Sequence, residues 1–186
     1  MIDTFTKICA KNVPGVVKVL LTEVGNIDTI TVTDGEVSAV TMSSVYLFHE
    51  AQCEIDSVEL KQTGKGKMTY SIEQSLEMGF SKLSKDLLTF KQSVVDAVPC
   101  GLCAIVKDGN GNWFLAGWND TDKGGRPLNQ IEDNFTSGKK PDDEAGNMFT
   151  ITLKGLSGYD VLPFDDTLST ALTNETSAAS AFCEFV

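Results

Sequence analysis

With 186 residues, the chain can form one domain with a real core, or one domain with long arms. Apolar residues at 41% and charged residues at 22% fit a soluble globular protein, and the longest apolar runs are far too short to span a bilayer. The net charge of -11 argues against a nucleic-acid reader, which relies on clustered Lys and Arg, but suits a surface that DNA must pass without sticking.

The opening residues Met1 to Lys7 lack the basic segment and apolar block of a signal peptide, so the chain is expected to stay in a cytosol with reduced thiols. From there the apolar pattern is mostly of period two. The β-branched stretch 15–24 predicts a strand. In 28–33, Ile30 and Val32 alternate with threonines; Asp34-Gly35 follows, then 36–42, which together predict a hairpin. Residues 44–50 predict a further strand. The longest predicted pair is 53–62 with 68–80, joined across Thr63-Gly64-Lys65-Gly66-Lys67, whose Lys-bearing part reads as a hairpin tip. In its second arm Tyr70, Ile72, Leu76, Met78 and Phe80 share one face, while Ser71, Glu73, Ser75 and Glu77 make the other a wet, acidic face. One amphipathic helix is predicted over 84–97. Ser84 caps it, Asp86 sits in its first turn, Pro99 ends the run, and Leu83, Leu87, Phe90, Val94 and Val98 form the face that lies on a sheet. A second hairpin follows, 101–108 with 112–118 across the turn Gly109-Asn110-Gly111-Asn112. Residues 119–146 show little periodicity and read as a long exposed loop, a length usually kept for function. Residues 147–155 return to alternation with Phe149, Ile151 and Leu153 inward, and 165–186 read as a C-terminal arm that docks on a neighbour or frays. The whole chain, 1–186, is expected to be a single domain.

No stretch makes a convincing catalytic constellation. Cys100-Gly101-Leu102-Cys103 has redox spacing, but here the helix precedes and a strand follows, the reverse of a thioredoxin-like motif. Zinc would need a second ligand pair; Cys9, Cys53 and Cys183 are scattered, and His49 is the single histidine. His49 and Cys53 could join Cys100 and Cys103 in space, yet the plainer expectation is buried, unreactive cysteines. Asp108-Gly109-Asn110-Gly111-Asn112 begins like a calcium loop, but Trp113 and Asn119 stand where Gly and Glu are required, so a hairpin turn is expected. Gly64 to Lys67 lacks phosphate-loop spacing. The carboxylates Asp142, Asp143, Glu144, Asp165 and Asp166 read as solvated loop runs, and the sequons at Asn119, Asn134 and Asn174 carry no weight without secretion. The expectation is a protein that is not an enzyme, with no catalytic residue, no metal and no cofactor. Long amphipathic strands leave edges that association with further copies of the chain would cover.

The order of these segments resembles the tail tube proteins of long-tailed bacteriophages, particularly small ones from phages of Bacteroidetes-type hosts. The resemblance rests on 12–42, on 68–80 running into 82–97, on 101–118 and on 148–166. It implies a mainly β fold with one helix: an antiparallel sandwich or partial barrel with a long hairpin. Copies would join in rings, usually of six, that stack into a tube whose continuous β-barrel lines a channel. It also implies a virion location in the tail, with assembly in the bacterial host cytoplasm. The implied partners are further copies of the chain, a tape measure protein, and tail terminator and baseplate proteins, with genomic DNA passing without specific binding and no membrane involved. Ser71, Glu73, Ser75 and Glu77 are then candidate lumen residues, joined by Glu59 and Lys61, or else they face outer solvent. The loop 119–146 and the C-terminal arm would make contacts between stacked rings. Other readings are a capsid decoration or tail-completion protein, the tube of a contractile injection system, and a thiol- or metal-dependent enzyme around Cys100, Cys103 and His49. A sugar-binding sandwich is a further one, although the odd spacing of Trp113 and Trp118 predicts opposite faces of one strand rather than a shared platform.

Overall fold

The computed structural model describes residues 14–43, 48–54, 56–66, 70–81, 83–118, 127–137, 148–157 and 160–165. In chain order the elements are β1 (Val16–Glu23), β2 (Ile27–Thr33), β3 (Glu36–Met42), β4 (His49–Ala51), β5 (Val58–Gly66), β6 (Tyr70–Phe80), α1 (Lys85–Ala97), β7 (Leu102–Asp108), β8 (Trp113–Ala116), β9 (Gln130–Thr136), β10 (Met148–Ser157) and β11 (Leu162–Pro163). They form a five-stranded sheet in the order β11-β8-β7-β1-β4, a four-stranded sheet in the order β5-β6-β10-β9, and the β2-β3 hairpin. Every strand pair in these sheets is antiparallel. Among the described residues the protein is therefore mainly β with one α-helix, and the sheets do not close into a barrel.

The period-two pattern is what layers the molecule. On β1 and β7, Val19, Leu21, Leu102, Ala104 and Val106 point to one side, where they meet Leu76, Met78, Ile151 and Leu153 of the four-stranded sheet. Leu20, Cys103 and Ile105 point to the other side and are covered by Ile27, Ile30 and Val37 of the β2-β3 hairpin. The five-stranded sheet is thus the middle layer, buried on both faces, which is why β7 reads as a continuous apolar run rather than an alternation. At Asp34 and Gly35, φ values of 54° and 87° give the left-handed turn that the Asp-Gly pair predicts for β2-β3. The hydroxyl of Ser84 accepts the Leu87 N–H at 3.1 Å, capping α1 as predicted. Leu87 and Val94 are buried in the core between the sheets, with Phe90 and Val98 half-buried against it. Leu83 departs from this face: it lies before the first helical turn and remains 36% exposed, while Ala97 takes a buried place at the other end.

Several predicted boundaries move. β5 starts at Val58, not at 53, because Asp56 takes a positive φ of 61° and the Ser57 hydroxyl donates to the carbonyl oxygens of Glu54 and Gly79 at 2.7 and 2.9 Å, tying this stretch into a turn. At its other end β5 runs on through Gly64, Lys65 and Gly66, which pair with Ile72, Ser71 and Tyr70, so these three are strand rather than tip, while Lys67 lies outside the described residues. Of 44–50, Phe48 to Glu50 lie among the described residues, and the strand is the short β4. The largest departure is in 119–146. Leu128 is fully buried and exchanges backbone hydrogen bonds with Leu102 at 2.9 and 3.0 Å, and Gln130–Thr136 is a strand paired to β10 along its length. Only Ile131 and Phe135 in that strand are apolar, since β9 is an edge strand with little to bury, so its sequence carries no strong alternation. Residues 119–126 and 138–146 of that loop, and 166–186 of the C-terminal arm, lie outside the described residues. Asp165 does not: its N–H donates to the Val37 carbonyl oxygen at 3.0 Å.

Candidate assembly surface

One face of the four-stranded sheet packs on the core; the other faces solvent, and the ladder register fixes its residues row by row. Glu59, Glu77, Thr152 and Glu132 lie side by side across β5, β6, β10 and β9. Two residues along, the row is Lys61, Ser75, Lys154 and Gln130; then Thr63, Glu73 and Leu156; then Lys65 and Ser71. Ser71, Glu73 and Glu77 are exposed and Ser75 is half-buried, so the four predicted residues share this outer face. The face is less acidic than β6 alone suggests. Neighbouring strands bring Lys61, Lys65 and Lys154 among the glutamates, and successive rows alternate in sign at a spacing of about 6.8 Å. Lys154 Nζ meets Glu132 Oε2 at 2.6 Å, tying two of these rows at the β9 side.

The opposite, inner face carries the signal that sequence reading missed. Gln74 lies in phase with Ile72 and Leu76 and is buried; its Oε1 accepts the Gly117 N–H at 2.8 Å, joining the two sheets through the core. Gly117 has φ 78°, and a Cβ there would stand 2.6 Å from the Leu102 carbonyl oxygen. This bend ends β8 and returns Trp118 to the same buried cluster as Trp113, so the two indoles share a side instead of facing apart, and neither is exposed. A single polar residue on a dry strand face was the available clue to Gln74.

Both edges of the four-stranded sheet are unpaired among the described residues. Beside the β5 edge, a groove of about 390 Å³ opens between the sheets, lined chiefly by Val16, Val58, Leu60, Val106, Phe114 and Val161. Gln62 Oε1 accepts the Val161 N–H at 2.7 Å and its Nε2 donates to Asp160, closing one end of the groove. At the other edge, Lys91 of α1 pairs with Asp133 of β9 at 2.6 Å. Phe135, further along β9, is 45% exposed.

Among the described residues Cys53, Cys100 and Cys103 are free thiols. Cys100 is exposed in the turn after α1, correcting the expectation that it is buried, whereas Cys103 is fully buried in β7. Burial pushes the Cys103 thiol up, and pushes the half-buried Cys53 thiol up to about 12. Neither is a thiolate at neutral pH. His49 is exposed on β4, and among the described residues no group of three or more metal-ligating side chains forms. The Asp108 carboxylate closes the β7-β8 turn, with Oδ1 accepting the Asn110 and Asn112 N–H groups at 2.9 and 2.8 Å. Burial pushes this carboxyl up, but hydrogen bonds from the side chains and backbone of Asn112 and Asn110 outweigh that and hold it below its usual range.

No family model, curated protein or solved structure matches this chain.

Proposed function

We propose that this protein is a self-assembling structural subunit of the tail-tube type, whose copies join in rings, usually of six, that stack into a tube carrying DNA. The observation that supports this reading is the four-stranded antiparallel sheet: one face packed on the core, the other polar and turned to solvent in the rows from Glu59 to Lys65, and both edges free of partners among the described residues. Long free edges favour aggregation unless closure or a neighbour covers them, and cyclic association removes them all at once. On this reading the outer face is the channel wall. Its rows of Glu59, Glu77 and Glu132, then Lys61 and Lys154, would become alternating bands around the lumen, so a polyanion meets no continuous basic surface to hold it. The tape measure, terminator and baseplate proteins, and the virion location, belong to the same proposal.

Negative-stain electron microscopy of the purified chain, across concentration and salt, tests it. Rings with a central hole or hollow stacked tubes are expected. Small uniform particles under every condition would instead favour a decoration or tail-completion protein.

A further inference from the structure

The self-association reading leaves open which surfaces of two copies meet, and the two edges of the four-stranded sheet answer to each other. The strands alternate in direction, so β5 and β9 run opposite ways. Rotation about an axis along the strands preserves direction, so β9 of one copy meets β5 of the next as an antiparallel pair, and the sheet continues without a break. Side-chain chemistry agrees. On the inner side, β5 offers Val58 and Leu60 at the mouth of the groove, and β9 offers the half-exposed Phe135. On the outer side, β5 carries Lys61 and Lys65, and β9 carries Glu132.

Resting on the self-association reading, we infer that the groove beside β5 is the socket for Phe135 of a second copy, with β9 added to β5 so that Phe135 stands opposite Leu60. In this register Asp133 faces Gln62, Ile131 faces Gly64, and Glu132 faces Thr63 on the outer side. Glu132 is then flanked diagonally by Lys61 and Lys65, within reach of such long side chains. The contact is heterologous, each copy using one edge as plug and the other as socket, and it closes only as a ring.

Cysteine cross-linking with the full chain tests this. Within one copy, Thr63 and Glu132 stand on strands three spacings apart, about 14 Å, which is too far for a disulfide. Between copies in the inferred register they are direct neighbours. The Thr63→Cys, Glu132→Cys double variant, oxidised in a Cys100→Ser background, is expected to give a ladder of covalent oligomers. Each single variant alone should not, which controls for the native cysteines. Phe135→Ser, at a half-exposed edge position, is expected to stay folded by circular dichroism and to lose assembly, with Phe135→Leu restoring it. Rings in the microscope without a ladder, or unchanged assembly of Phe135→Ser, would overturn the socket while leaving the ring reading standing. A ladder in open chains without rings would support the pairing and overturn the rings. A chain that stays monomeric with no ladder overturns both.

Discussion

Gln74 and Gly117 show how much one residue can decide here. The Gln74 amide oxygen accepts the buried Gly117 N–H at the point where Gly117 turns the chain inward. Gln74→Leu keeps the volume but strands that donor, and is expected to lower the unfolding free energy by about 1–3 kcal/mol in a urea titration. The cysteines separate by burial. Mapped after alkylation at neutral pH under native conditions, Cys100 should label while Cys53 and Cys103 stay unmodified until denaturant is added. For Asp108 the folded pKa is depressed. Its contribution to stability is therefore present above the unfolded carboxylate value of about 3.9 and is lost as pH falls through the lower folded value. Asp108→Ala should reduce stability by roughly 1 kcal/mol at pH 7 and flatten the acid limb of the stability profile.

At the scale of elements, α1 is held by a narrow stripe. Leu87 and Val94 enter the core between the two sheets, and the Phe80 and Phe90 rings meet edge to face at 5.9 Å. Leu87→Ala is expected to cost about 2–5 kcal/mol, whereas Leu83→Ala should stay within about 0.5 kcal/mol, because Leu83 lies outside the buried cluster. Equal costs at the two positions would show that the helix packs differently from this description. Ser84→Ala removes the cap and should cost about 1 kcal/mol. β9 is held differently: Ile131 packs half-buried against the core, and the ladder to β10 with the partly exposed Lys91 to Asp133 pair holds the rest of the strand.

For the whole molecule, the relevant quantity is the charge pattern of the outer face rather than the net charge of the chain. Glu59, Glu73, Glu77 and Glu132 are set against Lys61, Lys65 and Lys154 there, so the face is close to balanced while the chain carries -11. If this face lines a channel, Glu73→Lys with Glu77→Lys should leave assembly intact and make the tubes retain DNA in a sedimentation assay, an effect weakened by salt. Assembly that fails with these substitutions would place the face in a subunit contact instead.

Local pattern by itself determined the strands with one wet and one dry face, the Asp34-Gly35 hairpin and the Ser84-capped helix. In each of these the physical cause lies within a few residues: alternation, left-handed turn geometry or a cap hydroxyl. The direct neighbours of β6, and so the mixed charge of its outer face, depend on ladders with β5 and β10, the second of which joins residues 69 to 85 positions apart. Pairing over such a distance leaves no local trace. The same holds for β9, an edge strand that buries little, for Trp118, whose side is set by the bend at Gly117, and for the groove, which exists only where two sheets diverge. The sequence therefore determined a mainly β fold with one helix and one wet strand face, while the tertiary structure decided which charges share that face and which edges, among the described residues, have no partner strand.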